Sequence, residues 1–450
     1  MAKKRSSFSG KLGFVLATAG SAVGLGNIWR FPYITAKYGG AVFLIVYVIF
    51  AVIIGLPLMS TEMAIGRMTG KSAIEAYGTL DKKSKFIGVL GSIVPFIIVP
   101  YYCVIGGWVM KYMYAFSTGD AANTAIDGYF DNFVKSPAEP LIFFCIFLGL
   151  TALVVMFGVE KGIENISKVL MPILVIQTIA IAIYVVCLPG SSEGIAYYLK
   201  PDLENFSFDT VINALGQMFY SMSIAMGILI TYGSYMKKDI SIENSCIQVQ
   251  IFDTGIALFA GLMIIPSVLT FSGGDKSALS EGPGLMFETL PKVFMSMNFG
   301  AVIGIVFFVL VFFAALTSSI SLFETIVSIV MDRFGLSRKK CCVICLIFCI
   351  ILGSLASLGN GVLSNVTIFG MDILTFCDTI SNNVLMPIVA ICSSVFVGWF
   401  LKPQAIVNEI ETAGNKFRIK KLYVFVIKYI APVAMTAILV SSLLSLFGVI

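Results

Sequence analysis

The stretch GSAVGLGNIWRFP (residues 20–32) decides how the rest of the chain is interpreted. It lies in an apolar segment long enough to cross a bilayer, yet three glycines are followed by Asn27, Arg30 and Pro32. In lipid every backbone polar group must be hydrogen-bonded, so irregular backbone survives only where it is buried in protein or lines a cavity. The stretch therefore predicts a membrane helix with a functional interruption.

A simpler explanation covers only part of this stretch. Gly20 and Gly24 fit the small-xxx-small spacing that lets two membrane helices pack closely. Close packing does not require Asn27 and Arg30 on the same segment, nor the serines of a second interrupted segment, GQMFYSMSIAMGILITYGSY (216–235).

Composition predicts an all-α integral membrane protein. The 450 residues are 58% hydrophobic and 12% charged, and apolar runs of about 20 residues recur throughout. A β-barrel would show shorter alternating segments. The apolar run after the basic N-terminus continues directly into GSAVGLGN, so the first run is interpreted as a retained span and not as a signal peptide. No soluble domain is visible, and residues 1–450 are treated as one transmembrane domain in contact with lipid.

Eleven spans are predicted, and the distribution of basic residues orients them. With the N-terminus inside, 22 of the 30 Lys and Arg residues fall on the cytoplasmic side, which follows the positive-inside rule. This places the protein in the inner (cytoplasmic) membrane with an extracellular C-terminus. Because the net charge of +5 follows from loop topology, it indicates no nucleic-acid partner. The spans run roughly over 12–36, 40–70, 86–117, 140–158, 164–188, 210–236, 243–272, 297–334, 339–358, 368–400 and 421–449.

The two interrupted spans, the first and the sixth, occupy matching positions in two groups of five. Five is odd, so the second group enters the membrane from the opposite side, giving a 5+5 inverted repeat (1–188 and 210–400) plus an extra helix at 421–450. Paired interrupted spans indicate a binding site at the membrane midplane of a secondary transporter. Freed carbonyl groups there can bind a cation, and freed N–H groups a carboxylate.

Enzymes and transition-metal sites are disfavoured. The chain has no histidine, so it can hold neither an H-E-x-x-H motif nor the histidine base of a nucleophile–base pair. Four of the ten cysteines cluster in CCVICLIFCI (341–350), where small buried apolar side chains are the better interpretation than metal ligands. A channel, which would need a continuous pore, and a membrane sensor that binds an amino acid without concentrating it stay open as alternatives.

The motifs identify a family. GSAVGLGNIWRFPY (20–33) resembles the first-helix signature of the neurotransmitter:sodium symporter family, in particular its bacterial amino-acid-transporting branch with eleven spans. The resemblance covers nearly the whole chain. It continues through GGAVFLIVY (39–47), GLPLMSTEMAIGR (55–67), VPYYCVIGGW (99–108), GVEKGIEN (158–165) and AALTSSISLFE (314–324).

This resemblance implies two transported sodium ions held by oxygen atoms, the ligands that hard cations prefer. The first sodium would be bound by Ala22, Asn27, Ser221, Asp253 and the substrate carboxylate. The second would be bound by Gly20, Val23, Ala314, Thr317 and Ser318. For Thr317 and Ser318 alone, ordinary hydrogen bonding between helices would be the better explanation of the hydroxyls.

Asp253 departs from many family members, which resemble each other in having asparagine there. A carboxylate inside a membrane is costly and is usually functional. It would supply the negative charge that chloride supplies in chloride-dependent members, so transport is expected to be chloride-independent. We also expect Asp253 to take up a proton when sodium leaves, because an unpaired buried carboxylate tends to become neutral.

The implied substrate is a neutral amino acid. Amine-transporting members have an aspartate where Gly24 stands, so here the substrate should bring its own carboxylate. The mainly apolar side-chain pocket favours large hydrophobic or aromatic amino acids, although Met226 could equally be core filling. The expected substrate-binding residues are Ser21, Ala22, Leu25, Gly26, Ile98, Tyr102, Tyr220, Ser221, Ser223, Met226, Ser318 and Leu322.

The resemblance also implies gates and supporting residues for alternating access. Arg30 would pair with Asp372 on the outside, with Asp378 as second choice, and Arg5 with Asp332 on the inside. Tyr47, Glu62 and Gln217 would support the site, with Glu62 capping free N–H groups of the interrupted sixth span. The protein is expected to be a monomer or a homodimer.

Overall fold

The computed structural model describes residues 7–275, 278–279 and 282–446. Within these residues all the regular structure is helical, apart from one isolated bridge between Ile368 and Met371. Nine helices are long and apolar enough to cross a membrane. They are Ala41–Thr69, Lys82–Ser117, Glu139–Met156, Val159–Val186, Ile242–Phe271, Gly300–Phe334, Arg338–Leu358, Ile373–Leu401 and Lys420–Leu446.

The first predicted span is broken where the glycines stand. Helix Lys11–Ala22 ends at Val23, whose backbone is extended, and helix Gly26–Lys37 continues at an angle of 55°. The Asn27 side-chain oxygen accepts a hydrogen bond from the Gly24 N–H at 3.0 Å, so a side chain satisfies part of the freed backbone. This bent pair brings the spans among the described residues to as many as ten.

The sixth predicted span is also broken, and its break is more strained. Helix Phe208–Ser221 is followed by helix Ile228–Gly233, and between them Ser223, Ala225 and Gly227 have φ angles of 53°, 64° and 73°. Non-glycine residues rarely adopt positive φ, which costs about 1–3 kcal/mol each and persists only when the surroundings impose it. The all-helical membrane fold is confirmed, whereas the count of eleven stays a prediction because these two helices are short.

Glycines bring the second half of the broken sixth span against the second span. A Cβ on Gly66 would lie 1.9 Å from the Ile230 carbonyl oxygen, and one on Gly233 would lie 2.3 Å from the Met63 carbonyl oxygen. The two backbones therefore touch at this crossing. Close contact of this kind stabilises membrane helix pairs because lipid provides little hydrophobic driving force for association.

Gly66→Ala is expected to destabilise the fold by about 1–3 kcal/mol or more, because backbone atoms must move to admit the methyl group. The measurement is the apparent melting temperature of the detergent-purified protein. Gly149→Ala is the matched control, since a Cβ there has no heavy atom within 4 Å. A Gly66→Ala variant that melts at the wild-type temperature would contradict the contact.

The four clustered cysteines are packing residues in this structure. Cys341, Cys342, Cys345 and Cys349 are all buried along helix Arg338–Leu358, and none is in a disulfide. Within the described ranges there is no group of three or more His, Cys, Asp or Glu side chains that could hold a metal ion.

Candidate functional site

A small central cavity lies between the two broken spans. All twelve predicted substrate-binding residues line it, together with Gly24, Asn27 and Ile228. The cavity has a water-accessible volume of about 40 Å³, so in this conformation it is nearly closed. Ile228 was not predicted. It is the first residue of the helix that resumes after the sixth-span break, and that position is the signal that could have identified it.

Two glycines let the cavity wall approach its neighbours. A Cβ on Gly24 would lie 2.7 Å from the Ser318 Oγ and 3.1 Å from the Tyr102 hydroxyl oxygen. A Cβ on Gly26 would lie 2.5 Å from the Tyr220 ring. A side chain at either position would have to displace these groups. The glycines therefore do more than break the helix, since they also allow the site to close.

The Leu25 N–H is a backbone donor in the cavity wall. It donates a weak hydrogen bond of 3.4 Å to the Tyr102 hydroxyl. Ser21 and Ser223 face each other across the cavity with their hydroxyl oxygens 3.5 Å apart. This wall thus offers a backbone donor and hydroxyl groups, and no charged side chain lines the cavity.

Two members of the first predicted sodium-binding set, Asn27 and Ser221, meet at the fully buried Asp253, and Ala22 lines the cavity. The Asp253 Oδ1 accepts from the Asn27 amide at 2.7 Å and from the Ser221 hydroxyl at 2.8 Å. The Tyr47 hydroxyl, predicted to support the site, donates to the Oδ2 at 3.3 Å. These partners are neutral, and no cationic side chain among the described residues pairs with the carboxylate. A buried carboxylate surrounded only by neutral donors is an environment in which a bound cation would be stabilised.

The second predicted set also comes together, where the first and eighth spans meet. The Ser318 hydroxyl lies 3.2, 3.2 and 3.0 Å from the carbonyl oxygens of Gly20, Ser21 and Val23. The Thr317 hydroxyl donates within its own helix, to the carbonyl oxygens of Phe313 at 2.9 Å and Ala314 at 3.2 Å. The Ser318 hydroxyl thus meets three carbonyl groups of the first span, and such oxygen ligands suit a hard cation.

Two supporting residues contact the breaks directly. The Gln217 amide donates to the Gly26 carbonyl oxygen at 3.3 Å, and the Glu62 Oε1 accepts from the strained Ala225 N–H at 2.7 Å. The Gln217 Oε1 and the Glu62 Oε2, both buried, have no hydrogen-bond partner in the part of the chain that the structure describes. Glu62 thus stands where the resemblance implies a cap.

On the predicted extracellular side, a vestibule of about 490 Å³ lies above the cavity and shares Leu25, Tyr102 and Tyr220 with it. These side chains separate the two spaces. The Arg30 guanidinium lies 4.9 Å from the Tyr220 ring centroid, within range of a cation–π interaction. Tyr220 is therefore held as a lid by the residue predicted to form the outer gate.

Asp372 and Asp378, the two predicted outer partners of Arg30, lie in different environments. The Asp372 carboxylate caps helix Ile373–Asp378, accepting from the Thr375 N–H at 3.0 Å and from its hydroxyl at 2.5 Å. The Asp378 carboxylate is instead half-buried, lies within electrostatic range of Arg30, and accepts from the Tyr101 hydroxyl at 3.0 Å. An N-cap at a helix start is a local use for an aspartate, and it occupies Asp372.

On the predicted cytoplasmic side, the structure describes only one of the two predicted gate residues. Arg5 lies outside the described residues. The Asp332 carboxylate accepts from the Ser72 N–H at 2.7 Å. Below the cavity Phe8 is fully buried, with its ring centroid 5.4 Å from that of Phe14 and 5.6 Å from that of Tyr232. This aromatic cluster closes the predicted cytoplasmic side.

Comparisons with known proteins agree with this geometry. The sodium:neurotransmitter symporter family model matches residues 5–128 and 130–448. An uncharacterized sodium-dependent transporter of Haemophilus influenzae is 35% identical, covering 98% of this chain and 99% of that protein. A Bacillus subtilis protein of the same description is 32% identical, covering 100% and 99%. The crystal structure of MhsT in complex with L-phenylalanine matches with a TM-score of 0.88 and 37% identity, covering 98% of this chain and all of that one.

The family match spans nearly the whole chain, and the relatives align from end to end. Its members are secondary transporters and not enzymes. This multi-pass membrane protein therefore belongs to the sodium:neurotransmitter symporter family.

Proposed function

We propose that the protein is a sodium-coupled symporter that imports a neutral amino acid by alternating access. The observation that carries this proposal is the convergence of two oxygen clusters, around Asp253 and Ser318, on one cavity between two broken spans. The L-phenylalanine bound by MhsT supports an amino acid as the substrate class. Sodium and substrate sharing one site would raise each other's affinity, which is how coupling arises.

The proposed substrate is large and hydrophobic or aromatic. Support comes from a cavity lined by Ile98, Met226, Ile228 and Leu322 with no charged side chain. A large side chain needs more room than about 40 Å³, so these residues must move when it binds. Met226 is suited to that movement because its unbranched chain adapts its shape readily.

In the proposed cycle two sodium ions accompany the substrate, chloride is not required, and a proton is carried on the return step. Asp253 would balance the first sodium, which makes a bound chloride redundant, and would carry a proton on the return step. The alternating-access movement would involve eleven spans. They would form a 5+5 inverted repeat (1–188 and 210–400) followed by an extra helix (421–450). The N-terminus would be cytoplasmic and the C-terminus extracellular, in the cytoplasmic membrane.

The contacts of the aspartates determine which outer gate we propose. Asp378 is the better outer partner for Arg30, because the Asp372 carboxylate caps a helix. Arg5 with Asp332 is proposed for the inner gate. The driving force would be the sodium gradient and the membrane potential, about 2.3 kcal/mol per charge per 100 mV.

Uptake into proteoliposomes tests the proposal. With an imposed sodium gradient, radiolabelled neutral amino acids should accumulate above the external concentration, and a competition panel should identify the preferred one. Passive flux without accumulation would indicate a channel instead. Binding without flux would indicate a sensor.

Ser318→Ala is expected to raise the sodium concentration for half-maximal uptake about tenfold, because a hydroxyl that contacts a charged group contributes about 1.5–3 kcal/mol. Ser319→Ala is the matched control. Its hydroxyl donates to the Leu316 carbonyl oxygen at 2.9 Å and lies 2.8 Å from the Thr151 hydroxyl. Unchanged sodium dependence in Ser318→Ala would remove this residue from the second site.

A further inference from the structure

Lys428 is a cation inside a membrane span, with aromatic neighbours and no acidic partner among the described residues. Its ammonium nitrogen lies 4.8 Å from the Trp399 ring centroid and 5.6 Å from that of Tyr429. Across the described ranges, no carboxylate oxygen lies within 4.0 Å of it, whereas Lys420, on the same helix, pairs with Glu411 at 3.4 Å. An ionisable residue at such a position is costly unless it reaches a polar partner.

Lys428 lies at the junction of two helices. A Cβ on Gly398 would lie 3.2 Å from the Lys428 Cα, so helices Ile373–Leu401 and Lys420–Leu446 touch there. The rings around the junction face outward: Trp399 is 55% and Tyr429 48% exposed. Exposed aromatic rings with a lysine are typical of the level where a membrane meets water.

Two further lysines continue this surface toward the predicted cytoplasmic side. Lys402 follows Trp399 by three residues, and Lys421 lies seven residues before Lys428, which places both lysines of that helix on one face. Seven residues correspond to about 10 Å of helix, and a lysine side chain can extend several ångströms along it toward the headgroups. Lys402 and Lys421 likewise have no carboxylate oxygen within 4.0 Å in the part of the chain described.

We propose that Lys402, Lys421 and Lys428, with Trp399, form a binding site for the headgroup of an anionic phospholipid of the cytoplasmic leaflet. Charge complementarity carries this inference, since three lysines without a carboxylate partner among the described residues stand along one lipid-facing junction. Each basic residue near an anionic membrane surface contributes about 1 kcal/mol of attraction. A zwitterionic headgroup offers no net charge to match them.

Native mass spectrometry tests the site on the full chain. The detergent-purified protein is mixed with equal amounts of phosphatidylglycerol and phosphatidylcholine of identical acyl chains, and the two bound populations are compared. Wild type should retain phosphatidylglycerol preferentially. Lys428→Gln should lower that preference about fivefold, which corresponds to about 1 kcal/mol, while Lys428→Arg preserves it.

Lys420→Gln is the matched control, because it removes a charge of the same helix that is already paired with Glu411. It should leave the preference unchanged. Equal retention of the two lipids by wild type would overturn the proposal, and so would an equal loss in the control. If Lys428→Gln instead removes dimers and leaves the lipid preference intact, a second copy of the chain occupies this face and the proposal is wrong.

Discussion

Asp253→Asn is expected to lower chloride-free, sodium-driven uptake by a hundredfold or more. The substitution keeps the size of the side chain and its Oδ1, so the hydrogen bond from Ser221 can persist. What it removes is the negative charge in a fully buried cluster whose other members are neutral. Leaving a buried charge without its partner costs about 3–5 kcal/mol, and here the unpartnered charge would be the sodium ion.

The measurement is uptake in chloride and in gluconate. The variant should recover part of its activity when chloride is added, because an exogenous anion can replace the lost charge. Asp131→Asn, on an exposed helix and paired with Lys135, is the control and should transport normally. If Asp253→Asn keeps full activity in gluconate, neither the chloride independence nor the proton step depends on this carboxylate.

The same variant separates the proton step. If Asp253 returns protonated, acidifying the vesicle interior should speed wild-type uptake, because more empty carriers are then neutral. The variant has no carboxylate to protonate, so its rate should not respond to internal acidification. A wild-type rate that is independent of internal pH would exclude proton counter-transport and leave the sodium role intact.

Gly24→Asp is expected to abolish amino-acid uptake for two reasons. The new Cβ would lie 2.7 Å from the Ser318 Oγ and 3.1 Å from the Tyr102 hydroxyl, so both groups must shift. Its carboxylate would also occupy the place of the substrate carboxylate and repel it. Since Ser318 belongs to the second oxygen cluster, displacing it should also weaken sodium binding.

Gly24→Ala separates the two causes, because it introduces the steric conflict without the charge. We expect partial uptake in Gly24→Ala and none in Gly24→Asp, measured with the preferred radiolabelled amino acid. Gly149→Ala has open space around the new methyl group and should behave as wild type. Uptake by Gly24→Asp at half the wild-type rate or more would show that the substrate carboxylate lies elsewhere.

Most of the site could be predicted from the sequence because its family motifs are long and specific. Residues 20–33 alone predict the break, four of the proposed cation ligands and the arginine of the proposed outer gate. Asp372 and Asp378 show the limit of that approach. Both are aspartates near the start of one span. Only the hydrogen bonds to Thr375 and Tyr101 distinguish the aspartate that caps a helix from the one that lies within electrostatic range of Arg30.

The sequence by itself determined the membrane class, the helical fold and the places where two helices break. These properties depend on each segment and its solvent. An apolar run in lipid must hydrogen-bond its own backbone groups, and glycines and polar residues inside it mark the places where this helical hydrogen bonding is interrupted. Only the tertiary structure decided which atoms meet. Ser318 reaches the Val23 carbonyl across 295 residues of chain, and Lys428 reaches Trp399 across a helix junction. Such contacts depend on how segments pack against each other, and no local pattern encodes that distance.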